Sequence, residues 1–378
     1  MDLIYLDNNA TTPMLPEVAD AMRPYLMDYY GNPASAHQAG RRARKALEDA
    51  RQRTAEVLGA YPDEVVFTSG GTEANNLAIF GLAGEPPAHI ISSSIEHPSV
   101  AEPIQQLEKQ GCAIHRLPVN REGIVLAENL LKHLRNDTYL VTVMLANNEV
   151  GSIQPIDTLV RLLEGRVAFH CDAIQAAGRI PVHFHDLGVT SMALSAHKFH
   201  GPKGVGALVL RRNTRLRPRF LGGHQQQGRR PGTEPVALAV GLATALDLWR
   251  RHAAEHTDQV RSLRAKLLNA LESSAAPVIL NGPREGGIPH TLNLSFPGCR
   301  ADSLLMNLDL AGVACSTGSA CSSGSLLPSP VLQAMGVPED VLGSAMRFSL
   351  SHLLTEEQIV EAGQRISAVV KRIRNVPI

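Results

Sequence analysis

The sequence predicts an α/β fold, a mostly parallel sheet sandwiched by helices, followed by a smaller α+β domain. Three observations carry that expectation. Short β-branched runs alternate with segments of helical spacing up to about residue 256, the pattern of strands buried on both faces and joined by crossover helices. After that point the alternation stops and the composition shifts. A length of 378 residues with 44% hydrophobic and 19% charged content suits two domains with large cores and argues against disorder.

Seven strands are expected, at 65–68, 89–92, 113–117, 139–144, 166–170, 191–195 and 206–210. Turn residues open helical segments at 98–110 and 155–163, and an amphipathic stretch over 235–254 reads as a long helix. In the second domain a helix is expected over 260–274, a strand over 290–296 and a terminal helix over 356–374. The large domain is placed at 16–255, and the small one at 1–15 together with 256–378.

Lys plus Arg balances Asp plus Glu at 36 each, so no overall field favours nucleic acid or an acidic membrane surface. A small or neutral ligand fits better. No run reaches the roughly 18 apolar residues of a membrane helix, and the N-terminus lacks a basic start followed by an apolar core. A cytoplasmic location is expected. The five cysteines, Cys112, Cys171, Cys299, Cys315 and Cys321, are odd in number and widely spaced, which argues for reduced thiols rather than a disulfide framework. No metal site is expected.

The segment Ser195-Ala196-His197-Lys198-Phe199-His200-Gly201-Pro202-Lys203-Gly204 sets one lysine among small, hydroxyl and imidazole neighbours after an apolar run. A lysine held that way can form a Schiff base with an aldehyde, for which pyridoxal phosphate is the usual source. Thr68-Ser69-Gly70-Gly71-Thr72-Glu73-Ala74-Asn75-Asn76 offers a strand, a glycine turn and a helix start, the parts of a phosphate cradle. Asp172 closes an apolar strand where a carboxylate can face a protonated pyridine nitrogen. His97 lies in a loop after another strand, placed to stack on a ring and move protons. Arg347 suits bidentate capture of a carboxylate.

The run of small polar residues from Gly312 to Ser325 reads as a mobile exposed loop whose Cys321 can attack a substrate. Each feature also has an ordinary reading. Lys198 alone is a surface lysine, the glycine pair a helix cap, Asp172 a turn residue, His97 a solvated histidine and Cys321 an incidental thiol.

Taken together, these motifs resemble the cysteine desulfurases of the NifS/IscS type, a class V aminotransferase-like branch of the fold type I pyridoxal phosphate enzymes. The resemblance runs from Tyr5-Leu6-Asp7-Asn8-Asn9-Ala10-Thr11-Thr12 through Glu96-His97, Asn147-Asn148-Glu149-Val150-Gly151 and Asp172-Ala173-Ile174-Gln175 to Gly318-Ser319-Ala320-Cys321-Ser322 and Arg347. It implies that Lys198 holds the cofactor and shuttles protons. It also implies that Asp172 pairs with the ring nitrogen, Gln175 with the ring oxygen, and that His97 stacks and assists proton transfer. Gly71, Thr72, Ser195 and His197 would surround the phosphate, with Thr233 reaching over from a second subunit of a homodimer. Asn147 and Arg347 would position the substrate, L-cysteine. Cys321 would take its sulfur as a persulfide, releasing alanine, and pass it to an acceptor such as an iron–sulfur scaffold or a sulfurtransferase, for cluster assembly or tRNA thiolation.

The long small-residue loop is similar to that of the group I members. Gln225, Gln226 and Gln227 stand where the family often has an acid, and Ser351-His352 replaces a common Gly-Arg pair. Cys315, six residues before Cys321, is outside the usual motif and is a candidate to resolve or receive the persulfide. A selenocysteine lyase, and a persulfide carrier without pyridoxal chemistry, are the alternative functions.

Overall fold

The computed structural model describes residues 2–318 and 328–375 of the chain. In order the elements are β1 (Ile4–Tyr5), α1 (Pro16–Met27), α2 (Gln38–Leu58), β2 (Val65–Thr68), α3 (Gly71–Leu82), β3 (His89–Ser93), α4 (Pro98–Lys109), β4 (Ala113–Leu117), α5 (Ala127–His133), β5 (Thr138–Thr142), α6 (Ile156–Leu162), β6 (Ala168–Asp172), α7 (Phe184–Leu187), β7 (Ser191–Ser195), β8 (Gly206–Leu210), α8 (Val236–Ser274), β9 (Ile279–Asn281), β10 (Thr291–Ser295), α9 (Ala301–Leu310), β11 (Val313–Ala314), α10 (Pro330–Ala334), α11 (Glu339–Leu342), β12 (Ala345–Ser349) and α12 (Glu356–Arg374).

All seven expected strands form one sheet, in the order β2-β8-β7-β6-β5-β3-β4. Only β8 runs against the rest, antiparallel to both β2 and β7. Every position of β7 and β8 is buried, which explains why these runs are apolar without alternation. The sheet's carboxyl edge is where an open α/β fold gathers its ligand groups. Thr68 leads there into the Gly70-Gly71 turn, Ser93 into Glu96-His97, and Ser195 into Lys198, while Asp172 ends β6.

Among the described residues the two largest hydrophobic cores fall in different parts of the chain. The larger lies around the sheet, and the smaller is built from Ile4 and Leu6 together with residues from Val260 to Val370. Above the smaller core lies an antiparallel sheet, β12-β10-β9, and β1 pairs in parallel with β11. The two helices expected at 235–254 and 260–274 are one continuous helix of 39 residues, α8. Its first half gives Ala239, Leu242 and Leu246 to the large core, and its second half gives Leu263, Leu267 and Leu271 to the small one. Each such leucine contributes roughly 1.5–3 kcal/mol by leaving water.

Candidate active site

Four strand ends and one helix start bring the motifs to a single cavity of about 110 Å³, lined by Gly71, Thr72, His97, Asp172, Gln175, Ser195, His197 and Lys198, with Ser99, Met144, Asn148 and Ile174. Lys198 Nζ donates to the carbonyls of Asn9, at 2.7 Å, and Ala10, at 2.9 Å. Those acceptors come from the N-terminal segment, which Thr12 pins to the same loop by donating to the His197 carbonyl.

Asp172 is fully enclosed. Its Oδ2 accepts from Asn75 Nδ2 at 2.8 Å and its Oδ1 from the Ile174 N–H at 2.9 Å. Burial pushes its carboxyl up, while His97, those donors and Lys198 pull it part of the way back. A carboxylate in this state lacks a full counter-charge, which a protonated pyridine nitrogen supplies. Gln175 Nε2 donates to the Asn9 carbonyl, and its buried Oε1 has no partner.

A buried polar chain runs behind Asp172. Asn75 Nδ2 also donates to Ser99 Oγ at 2.8 Å, and Asn75 Oδ1 accepts from His170 Nε2 at 2.9 Å. Complete burial lowers His170 to about 3, so its ring is neutral. Ser99 Oγ lies 2.8 Å from His97 Nδ1, which also accepts from the Ser99 N–H. That N–H can only donate, so a neutral His97 carries its proton on Nε2. Burial, with Lys198 and Arg347, lowers His97 against the opposing pull of Asp172. His97 also caps α4.

Around the corner, α3 starts at Gly71 without a side-chain cap, leaving its first amides for an anion. Thr72, Ser195, His197 and Lys203 line the space in front of them. A Cβ on Gly71 would meet Ile174 Cδ1 at 2.2 Å, so any larger residue here must push Ile174 aside on the cavity wall. Glu73 lines the space as well, with its carboxylate engaged by the Ser69 N–H and by Arg230 at 2.8 Å. Amides, hydroxyls, imidazole and ammonium face one space, a donor set whose chemistry fits the phosphate of pyridoxal phosphate.

Three expected residues stand outside the cavity lining. Asn147 is turned inward: its Oδ1 accepts from the Glu149 and Val150 N–H groups and its Nδ2 donates to the Ile95 carbonyl. Asn148 takes its place on the wall. Arg347 is buried, pairs with Asp7 at 2.8 Å and donates to the Asn148 carbonyl, with its Nε unpartnered. Thr233 is exposed.

Cys321 lies outside the described residues. The start of its segment is ordered strand rather than open loop: Val313–Ala314 forms β11, and Ser316 exchanges backbone hydrogen bonds with Arg347. Cys315 packs against the small core, and burial, with Asp7, pushes its thiol up to about 12. It is a poor nucleophile at neutral pH. Glu149 touches both flanks of the Cys321 segment. It accepts from Ser329 Oγ at 2.5 Å, and a Cβ on Gly318 would meet its Oε2 at 2.3 Å. Burial raises Glu149 to about 7, and raises Glu96, next to His97, to about 8.

Asn75, Ser99, His170, Asn148 and Glu149 received no role from the sequence. One signal was present: positions 170 and 172 share a face of β6 and meet the same layer.

The fold and this lysine–aspartate–histidine constellation define a class. Residues 4–361 match the aminotransferase class-V family, and the chain belongs to that family, whose desulfurase members depend on pyridoxal phosphate. Within it the chain belongs to the cysteine desulfurases. It is 44% identical to the cysteine desulfurase IscS of Dictyoglomus turgidum, over 99% of this chain and 96% of that one. A NifS-like protein superposes with a TM-score of 0.92 at 36% identity, covering 98% of this chain and all of the other. SspA in complex with cysteine superposes at 0.83, with 33% identity over 92% of this chain and 98% of that one.

Proposed function

We propose that the cysteine desulfurase reaction of this chain is carried by Lys198, His97 and Cys321, in a large lobe of 16–255 and a small lobe of 1–15 and 256–378. The observation that supports this reading is one cavity walled by Lys198, His97 and the buried Asp172 carboxylate. Asp172 would hold the ring nitrogen of pyridoxal phosphate and Gln175 its ring oxygen. The α3 amides with Thr72, Ser195 and His197 would hold its phosphate, aided by Thr233 of a second copy in a homodimer. Bound there, the cofactor supplies an electron sink for the substrate's α and β carbons.

The remaining work falls to the chain. Arg347, whose Nε is free of protein partners, takes the substrate carboxylate beside Asn148. Lys198 Nζ, as the neutral amine, removes the α proton and returns it. His97 Nε2, with its proton fixed there by Ser99, donates a hydrogen bond to the substrate's hetero-atoms and so assists proton transfer at them. Cys321, as thiolate, attacks the substrate sulfur. The Cys321 sulfur–sulfur bond forms, the carbon–sulfur bond breaks, and its electron pair stays on carbon to be protonated. L-cysteine and a thiol become L-alanine and a persulfide, with no external oxidant.

The persulfide then passes to a protein acceptor, for iron–sulfur assembly or another thiolation, in the cytoplasm. The test is anaerobic turnover of L-cysteine with a reductant, quantifying alanine for the parent and Cys321→Ala. Alanine from the parent alone is expected. Alanine from both removes Cys321 from the mechanism, and alanine from neither turns the reading toward selenocysteine.

A further inference from the structure

Behind the Lys198 backbone, away from the cofactor cavity, a second and larger hollow of about 420 Å³ opens between α1, α8 and the segment after β12. Arg179 forms part of its wall. The guanidinium is buried, donating from Nε to the Lys198 carbonyl at 2.9 Å and from Nη2 to the Asn8 carbonyl at 3.3 Å. Both acceptors are neutral. Among the described residues no acidic side chain pairs with it, and burial lowers Arg179 to about 10. An uncompensated buried cation is unfavourable unless an anion reaches it.

The opposite side of the hollow repeats the pattern. His290 is 1% exposed, and among the described residues neither ring nitrogen has a hydrogen-bond partner. His256, stacked 3.8 Å from His352, leaves its Nδ1 unpartnered as well. The charged groups acting on His290 are positive, Arg179 first among them. Glu17 and Glu255 also line the hollow, but both are exposed at its rim, where solvent screens them. Among the described residues no set of three or more His, Cys, Asp and Glu is arranged to hold a metal. A neutral imidazole offers one N–H, and that N–H of His290 together with the Arg179 guanidinium gives the hollow donors that a ligand rich in acceptors can meet.

We propose that this hollow binds a small tetrahedral oxyanion between Arg179 and His290, a second anion site separate from the cofactor's phosphate cradle. Occupancy is felt one peptide from the chemistry, because the guanidinium that meets the anion also holds the Lys198 carbonyl.

Sulfate is titrated calorimetrically into the pyridoxal phosphate-loaded enzyme in a buffer free of other oxyanions, so that the front cradle is already filled. Saturable binding at one site per chain is expected. His290→Leu, which removes an imidazole with no hydrogen-bond partner among the described residues and so leaves the fold intact, is expected to weaken it about tenfold. Selenate soaked into crystals of the loaded parent enzyme is expected to give an anomalous peak between Arg179 and His290. Absence of saturable binding by the parent, or unchanged affinity in His290→Leu with the peak elsewhere, overturns the proposal and leaves a water-filled hollow.

Discussion

Replacing Asn75 by leucine removes the hub of the polar chain while keeping its branched side-chain skeleton. Asn75 is fully buried and makes three short contacts, with Asp172, Ser99 and His170. The bond to the Asp172 carboxylate is the strongest, at about 1.5–3 kcal/mol, and each of the others contributes about 1 kcal/mol. The His170 N–H is also left without an acceptor in the interior. Unfolding free energy of the cofactor-free protein is expected to fall by about 3–5 kcal/mol. Losing a donor to the ionised Asp172 moves its buried carboxyl further up, toward the neutral form that cannot pair with a protonated ring, and the bond lost is that same interaction of about 1.5–3 kcal/mol. The loaded enzyme should therefore hold pyridoxal phosphate about 10- to 100-fold more weakly near neutral pH. Urea unfolding of the cofactor-free chain and equilibrium dialysis of the cofactor read the two effects separately. Unchanged cofactor affinity in a folded Asn75→Leu protein refutes the role of the chain behind Asp172.

Two further outcomes follow from the buried acids. Glu96 is held at about 8, far above an ordinary carboxyl, so between about pH 4.5 and 8 the folded state binds the extra proton and stability falls as pH rises. Glu96→Gln should remove that slope, and parallel urea titrations at pH 5 and pH 8 that show equal slopes for both proteins contradict the assignment. Gly318→Ala forces a methyl into Glu149 Oε2, displacing one anchor of the Cys321 segment. Alanine formation is expected to drop with cofactor content unchanged, measured by turnover alongside the bound-cofactor absorbance, and loss of the cofactor itself would point to a wider disturbance.

The sheet was legible because its strands are buried on both faces and carry little polarity. The misreadings have physical causes. The strand expected at 166–170 lies at Ala168–Asp172, because Asp172 is the buried last residue of the strand, held by Asn75 and the Ile174 N–H, rather than the turn after it. The apparent gap after 254 in α8 is a solvent-facing stretch between two cores, and its Glu255-His256-Thr257 sequence contains no Gly or Pro to break a helix. In the site, residues that present their own chemistry, such as Lys198, Asp172 and His97, stood out. Asn75, Ser99 and His170 did not, because each gains a role only from a partner brought near by tertiary packing. Asn147 and Asn148 are adjacent and alike in sequence, and only the turn geometry decides which one faces the cavity.

Helix α8 is about 58 Å long at 1.5 Å per residue, and it is a structural member of both cores. Helical hydrogen bonding is cooperative along its length, so fraying in the second lobe removes support from the helix turns that close the first. The same rod joins the two cores without an intervening loop, so displacing one core relative to the other bends a helix. The two lobes are thus mechanically coupled, and the chain should lose its structure in one transition rather than two.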